Sequence, residues 1–200
     1  CDTPYASFNT ILNIQTNVRE VVDLVKQNLG NIRHIVITGG EPLVQKASLA
    51  SLVELLKKET NAHLTLETNG TLFDAEVAKH IDLFSVSPKL ANSNPNFHKL
   101  EALGLNPSGP LIFHAEKRVN LKVLQSLIDT ANQPGKDIQF KFVVGRPEED
   151  LEINNTFLKQ LHGLKPADIL LMPLGANREE LCQTTKMVME MAIRHGWRYA

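Results

Sequence analysis

The chain has 200 residues, 42% of them hydrophobic, which is ample for a continuous core and excludes a disordered segment. Its 21 Lys and Arg against 22 Asp and Glu leave a formal charge of −1, so no global field favours nucleic acid or an anionic membrane; a local basic site is compatible with this balance. No apolar run reaches the roughly 18 residues of a membrane span. Two cysteines, Cys1 and Cys182, allow at most one bridge, so the composition points to a soluble, cytoplasmic protein of a reducing compartment.

In chain order, Val18, Val21, Val22, Val25 and Leu29 follow helical spacing up to a stop at Gly30, and a strand follows over 34–38. Leu49, Leu52, Val53 and Leu56 predict a second helix. A strand over 63–67 runs to the turn Asn69-Gly70, then come a short helix over 73–80 and a strand over 83–86. From Leu90 to Glu116, Asn92, Asn94, Pro95, Asn96, Pro107, Gly109 and Pro110 break any long element, as in an elaborated connection. Alternation resumes with a helix capped by Asn120, a strand over 138–144, a helix entered at Pro147 and a strand over 169–172. The final helix has Asn177 as its cap and Glu180 three residues on, a variant capping box, and ends at Gly196.

Apolar strands spaced by helices imply an α/β fold, a parallel sheet with alternating helices, because parallel neighbours need long crossovers. Five strands are visible and a sixth is expected ahead of Cys1. No repeat or low-complexity linker divides residues 1–200, so the chain reads as one domain. Its opening, Cys1-Asp2-Thr3-Pro4-Tyr5, has no initiator Met and reads as the interior of a longer polypeptide.

Parallel α/β folds bind ligands beyond the carboxyl ends of their strands, and here those exits are polar and glycine-rich. They are Thr38-Gly39-Gly40-Glu41-Pro42, Glu67-Thr68-Asn69-Gly70, Ser87-Pro88-Lys89 and Met172-Pro173-Leu174-Gly175. Gly39 and Gly40 let a ligand approach bare backbone N–H groups, and Glu41 offers an acceptor to an ammonium group, which suits a zwitterionic amino-acid moiety. The other reading of the same residues is a tight turn with Pro42 at the first helical position and Glu41 favoured by the helix dipole. Ser87 and Lys89 suit a carboxylate or ribose, or else form a proline-stiffened strand exit. Glu67 and Asn69 suit a ribose or amine, or else a tight turn. Neither a dinucleotide-binding fingerprint nor a Walker pattern occurs, the seven His have no zinc spacing, and Cys182 reads as a small apolar residue of the last helix.

Taken together, several segments resemble the radical S-adenosylmethionine (SAM) superfamily, and within it the 7-carboxy-7-deazaguanine synthases of queuosine and deazapurine biosynthesis. They are Cys1-Asp2-Thr3-Pro4-Tyr5-Ala6, Ile37-Thr38-Gly39-Gly40-Glu41-Pro42-Leu43, Glu67-Thr68-Asn69-Gly70-Thr71, Ser85-Val86-Ser87-Pro88-Lys89, Phe140-Lys141-Phe142-Val143-Val144 and Met172-Pro173-Leu174-Gly175. The resemblance implies a partial (β/α) barrel whose first strand, two further cluster cysteines and a short C-terminal segment lie outside these residues. It implies conversion of 6-carboxy-5,6,7,8-tetrahydropterin to 7-carboxy-7-deazaguanine with loss of ammonia, started by a radical made when a reduced [4Fe–4S] cluster cleaves SAM.

By the same resemblance, Cys1 is a cluster ligand, Asp2 a SAM contact, Thr3 a Mg²⁺ ligand and Thr38 a substrate contact at the catalytic centre. Gly39, Gly40, Glu41, Ser87, Pro88, Lys89, Met172 and Pro173 match the SAM-binding boxes. The implied partners are a pterin substrate, an electron donor such as a flavodoxin and a second copy in a homodimer, with no nucleic acid and no membrane. The rival readings are another radical SAM enzyme, such as a glycyl-radical-activating enzyme, and a non-catalytic α/β ligand-binding module.

Overall fold

Asn17 Oδ1 accepts the Glu20 N–H at 2.9 Å while the Glu20 carboxylate faces back to the Asn17 N–H, and this capping box opens α1 (Val18–Leu29). The computed structural model describes residues 14–102, 104 and 111–200. After α1 come β1 (His34–Ile37), α2 (Lys46–Thr60), β2 (His63–Thr68), α3 (Ala75–His80), β3 (Leu83–Val86), α4 (Phe97–Ala102) and α5 (His114–Lys117). The chain continues with α6 (Leu121–Ala131), β4 (Asp137–Val144), α7 (Glu149–Glu152), β5 (Ile169–Pro173), α8 (Arg178–His195) and β6 (Arg198–Tyr199).

All six strands are parallel and lie in the order β1-β2-β3-β4-β5-β6, an open sheet with the sequential order of a partial (β/α) barrel. Right-handed crossovers between sequential neighbours put the helices on one side of such a sheet. That side is the core: Leu64, Leu66, Phe84, Val86, Ile138, Phe140, Phe142 and Leu171 are buried together with Val53, Leu56, Leu124 and Val188 from the helices. Strand alternation sends the intervening residues to the opposite, open face. Ile37 pairs with Leu66, Leu66 with Phe84 and Phe84 with Ile138, so Glu67, Ser85 and Gln139 share that open face.

Several boundaries differ from the sequence reading. The helix expected from Phe73 starts at Ala75, because the Asp74 carboxylate accepts the N–H groups of Glu76 and Val77 and so fixes the first turn. The helix expected at Pro147 begins at Glu149, and after Glu152 it widens into a π-turn over Ile153–Leu158. The segment expected as an irregular connection holds the short helices α4 and α5; its Pro107, Gly109 and Pro110 lie outside the described residues. The sixth described strand is β6, at the far end from the one expected ahead of Cys1. At α8 the expected Asn177 cap is present, its Oδ1 accepting the Glu180 N–H at 3.0 Å, but the reciprocal half of the box is displaced by one residue, since Glu180 Oε2 takes the Ala176 N–H rather than that of Asn177.

Candidate functional site

The first rim loop follows β1. Glu41 is extended at φ −147°, and Pro42 opens a 3₁₀ turn over Pro42–Gln45. Its Oε1 accepts from the Leu43 N–H at 3.2 Å, its Oε2 from the Asn69 N–H at 2.8 Å, and the Thr68 hydroxyl donates to the pair at 2.9 and 3.0 Å. The two readings of Glu41 are thereby separated: its acceptor capacity is taken up by the protein, and it braces the β1 exit against the β2 exit rather than facing an ammonium ligand. At Gly39 a Cβ would meet no protein atom within 4 Å, so its backbone borders open space.

The second loop is a built turn. Asn69 Oδ1 accepts the Thr71 N–H at 2.9 Å and the Thr71 hydroxyl at 2.6 Å, and Gly70 takes φ +75°. The third loop, Ser87-Pro88-Lys89, is tied to the second where Ser87 N–H donates to the Thr68 carbonyl at 2.8 Å. Lys89 Nζ lies 3.2 Å from Ser87 Oγ, and its carbonyl receives Arg118 at 2.6 Å. Arg118 also pairs with Glu152 at 2.8 Å, anchoring the Lys89 segment to α7. Beside Lys89 opens a cavity of about 630 Å³, bordered by Asn69, Thr71, Phe113, His114, Lys117 and Asn120. Burial lowers the His114 pKa there, reinforced by the charges of Arg118 and Lys89.

Across the open face the polar side chains join in rows. Thr38 Oγ1 donates to Glu67 Oε2 at 3.0 Å, and Lys141 Nζ donates to Glu67 Oε1 at 2.6 Å. Gln139 donates to Ser85 Oγ at 3.0 Å and receives Arg198 at 3.2 Å. Nearer the amino ends, His34 Nε2 sits 2.7 Å from Thr65 Oγ1, and the His34 and His63 rings meet edge to face at 4.8 Å. The Lys141 ammonium holds the Glu67 carboxyl below the usual carboxylate range against the opposing effect of burial, with help from Thr38 and the Lys89 charge.

The fourth loop follows β5. Met172 is level with Val143 and Pro173 with Val144, and Leu174 N–H donates to the Val144 carbonyl at 2.8 Å. The β4 exit is fixed by buried Glu149, whose Oε2 accepts the N–H groups of Gly145 and Arg146 at 2.7 and 3.2 Å. Cys182, expected as an apolar packing residue, is exposed on α8, because its position falls on the outer face of that helix beside Met189 and Ile193.

The structure thus brings Thr38, Gly39, Gly40, Ser87, Pro88, Lys89, Met172 and Pro173 to the carboxyl end of one sheet. Cys1, Asp2 and Thr3 lie outside the described residues, and among the described residues no group of three metal-ligating side chains occurs. The open backbone at Gly39 after β1 and the Ser87 hydroxyl and Lys89 ammonium after β3 are groups of the kind that the amino-acid end of SAM requires. Sequence reasoning assigned no role to Lys141 and Arg118. The signal for Lys141 was a charged residue at a polar position of an alternating strand; Arg118 gave none, since its partners come from β3's exit and α7.

A model of the radical SAM superfamily matches residues 1–102, and the chain belongs to that superfamily. SuiB from Streptococcus suis, in a crystal structure bound to S-adenosylmethionine, shares the fold with a TM-score of 0.56 at 14% identity, covering 94% of this chain and 44% of SuiB. The 7-carboxy-7-deazaguanine synthase of Rhodopirellula baltica is 35% identical over 199 residues, covering all of this chain and 69% of the relative. That of Halobacterium salinarum is 31% identical over 210 residues, covering all of this chain and 73% of the relative. Within the superfamily, the chain belongs to the 7-carboxy-7-deazaguanine synthase family. No helix among the described residues is long and apolar enough to cross a membrane.

Proposed function

We propose that this chain is the core of a synthase converting 6-carboxy-5,6,7,8-tetrahydropterin into 7-carboxy-7-deazaguanine with loss of ammonia, in queuosine and deazapurine biosynthesis. The observation that carries the reading is the placement of Thr38, the open Gly39 backbone, Ser87 and Lys89 on one rim of a sheet in a chain that aligns over its whole length with 69% of a synthase. That match favours a synthase over a glycyl-radical-activating enzyme or a non-catalytic binding module.

In this reading, Gly39 and Gly40 present backbone to the amino-acid end of SAM, Ser87 and Lys89 contact its carboxylate and ribose, and Pro88 stiffens their loop. Met172 and Pro173 border the same cofactor. Glu41 acts indirectly, by holding the Gly39-Gly40 turn against Asn69. Thr38 contacts the pterin. Cys1 is a ligand of a [4Fe–4S] cluster, Asp2 a SAM contact and Thr3 a Mg²⁺ ligand. The cluster and SAM supply one-electron chemistry that begins with hydrogen abstraction; the protein orients the reactants and keeps water away. An electron donor such as a flavodoxin would serve as the partner that supplies the cluster's electron, and the enzyme works in the cytoplasm as a homodimer.

The test is an anaerobic assay of the full-length protein, reconstituted with iron and sulfide, with product detected by mass. Formation of 7-carboxy-7-deazaguanine is expected. SAM consumption without that product would instead point to another radical SAM reaction.

A further inference from the structure

Three strands of the open face meet at one carboxylate. Thr38 follows β1 directly, Glu67 lies on β2, and Lys141 on β4 reaches over β3 to complete the row. Among the described residues each Glu67 oxygen has one protein donor: Oε1 takes the Lys141 ammonium and Oε2 takes the Thr38 hydroxyl. A hydroxyl has one hydrogen and two lone pairs. While that hydrogen points at Glu67, Thr38 presents only lone pairs to a bound molecule.

Stability alone does not account for the ion pair. Its side chains are 18% and 38% exposed, so solvent still screens part of the attraction, while holding the lysine in one geometry gives up its rotamer freedom. The parallel ladder already joins β2 to β3 and β3 to β4 without it. The pair lies on the face of the sheet away from the helices, near the carboxyl ends from which the rim loops leave.

We propose that Lys141 is a positioning residue for the synthase reaction: it holds the Glu67 carboxylate in place, so that Thr38 meets the substrate as a hydrogen-bond acceptor. This rests on the reading of Thr38 as a substrate contact. It adds a specificity rule, since an acceptor Thr38 selects a substrate N–H at that point and disfavours a carbonyl. Protonating Glu67 would remove the acceptor that orients the hydroxyl. Among the described residues, the charged and titratable groups around Glu67 are Lys141 from β4, Lys89 beyond β3, Arg198 of β6 through Gln139, Glu41 behind Thr68, and His34 and His63 toward the amino ends. Lys141 alone among them donates directly to the carboxylate.

The full-length enzyme labelled with ¹³C at its Glu side-chain carboxyls reads the proposal directly, with Glu67 assigned by its loss in Glu67→Gln. In Lys141→Met the Glu67 titration is expected to move upward, and in Lys141→Arg to stay low. The acid limb of kcat/KM should move upward in step and KM for 6-carboxy-5,6,7,8-tetrahydropterin should rise about tenfold while SAM affinity holds, with Lys141→Arg restoring the acid limb and KM. A merely structural pair would lower the melting temperature and leave the acid limb in place. An unmoved Glu67 titration, or a moved titration with unchanged KM and acid limb, overturns the proposal. Should Lys141→Met fail to fold, Glu67→Gln decides: raised KM with retained SAM affinity supports it, and unchanged KM overturns it. Absence of product from the wild type strikes the synthase reading instead, and the carboxyl titration is read independently of turnover.

Discussion

Glu41 Oε2 accepts the backbone N–H of Asn69 at 2.8 Å, so the loop leaving β1 is fixed to the loop leaving β2 by a side chain that sequence alone offers equally to a ligand. The Leu43 N–H and the Thr68 hydroxyl complete the brace. Glu41→Ala is expected to cost about 2 kcal/mol in denaturant unfolding, the scale of hydrogen bonds to a charged group. It should also weaken SAM binding, because Gly39 and Gly40 lose their anchor. Calorimetry and urea titration of the same preparation check both effects.

Gly39 and Lys89 separate ligand binding from folding. Gly39→Val places its branched side chain in space free of protein atoms, so unfolding should change little while SAM affinity falls about tenfold or more. Lys89→Ala should produce a similar loss of affinity by removing a charge-assisted contact. Cys182→Ala, exposed on α8, should leave both quantities unchanged.

Gly70 carries φ +75°, and a Cβ there would run into Leu124 Cδ2 and come within 2.9 Å of Val86 Cγ1. Gly70→Ala is therefore expected to destabilise the fold by about 2–3 kcal/mol, from overpacking and left-handed strain together. An unchanged denaturation midpoint would mean that the turn relaxes without cost.

Asp82 sets an acid limit on stability. Burial raises its pKa, but hydrogen bonds from Lys57 and the Leu64 N–H, with the charges of Lys57 and His63, more than offset that and leave it lowered. A depressed folded value means stability present above the unfolded value, about 3.9, and lost as pH falls through the folded one. The gap in urea midpoint between wild type and Asp82→Asn should accordingly be full near neutrality and close below about pH 4.

Metal dependence tests Thr3 apart from the cluster. Turnover should rise with added Mg²⁺ and fall with chelator, and Thr3→Val should lose turnover while cluster content and SAM binding persist. Cys1→Ala should lose the cluster itself, read by iron content and visible absorption. Metal-independent product from wild type and Thr3→Val alike would remove Thr3 from the site.

Periodicity made the alternation of helices and strands legible, because burying one side of a strand or helix writes a repeat into consecutive residues. The capping at Asn120 and Asn177 was legible for the same reason: a cap and its partners are sequence neighbours. Asp74 moved the start of α3 from Phe73 to Ala75 because a cap overrides apolar spacing at a boundary. The rim segments could be located from the sequence as strand exits, yet the competing roles of Glu41 depended on Thr68 and Asn69, more than 25 residues away. Lys141 shows the same division. Its place on the polar side of an alternating strand follows from Phe140 and Phe142 on either side. Its pairing with Glu67, 74 residues earlier, had to be decided by the stacking of β2, β3 and β4, since only the register of those strands brings the two charges to one place.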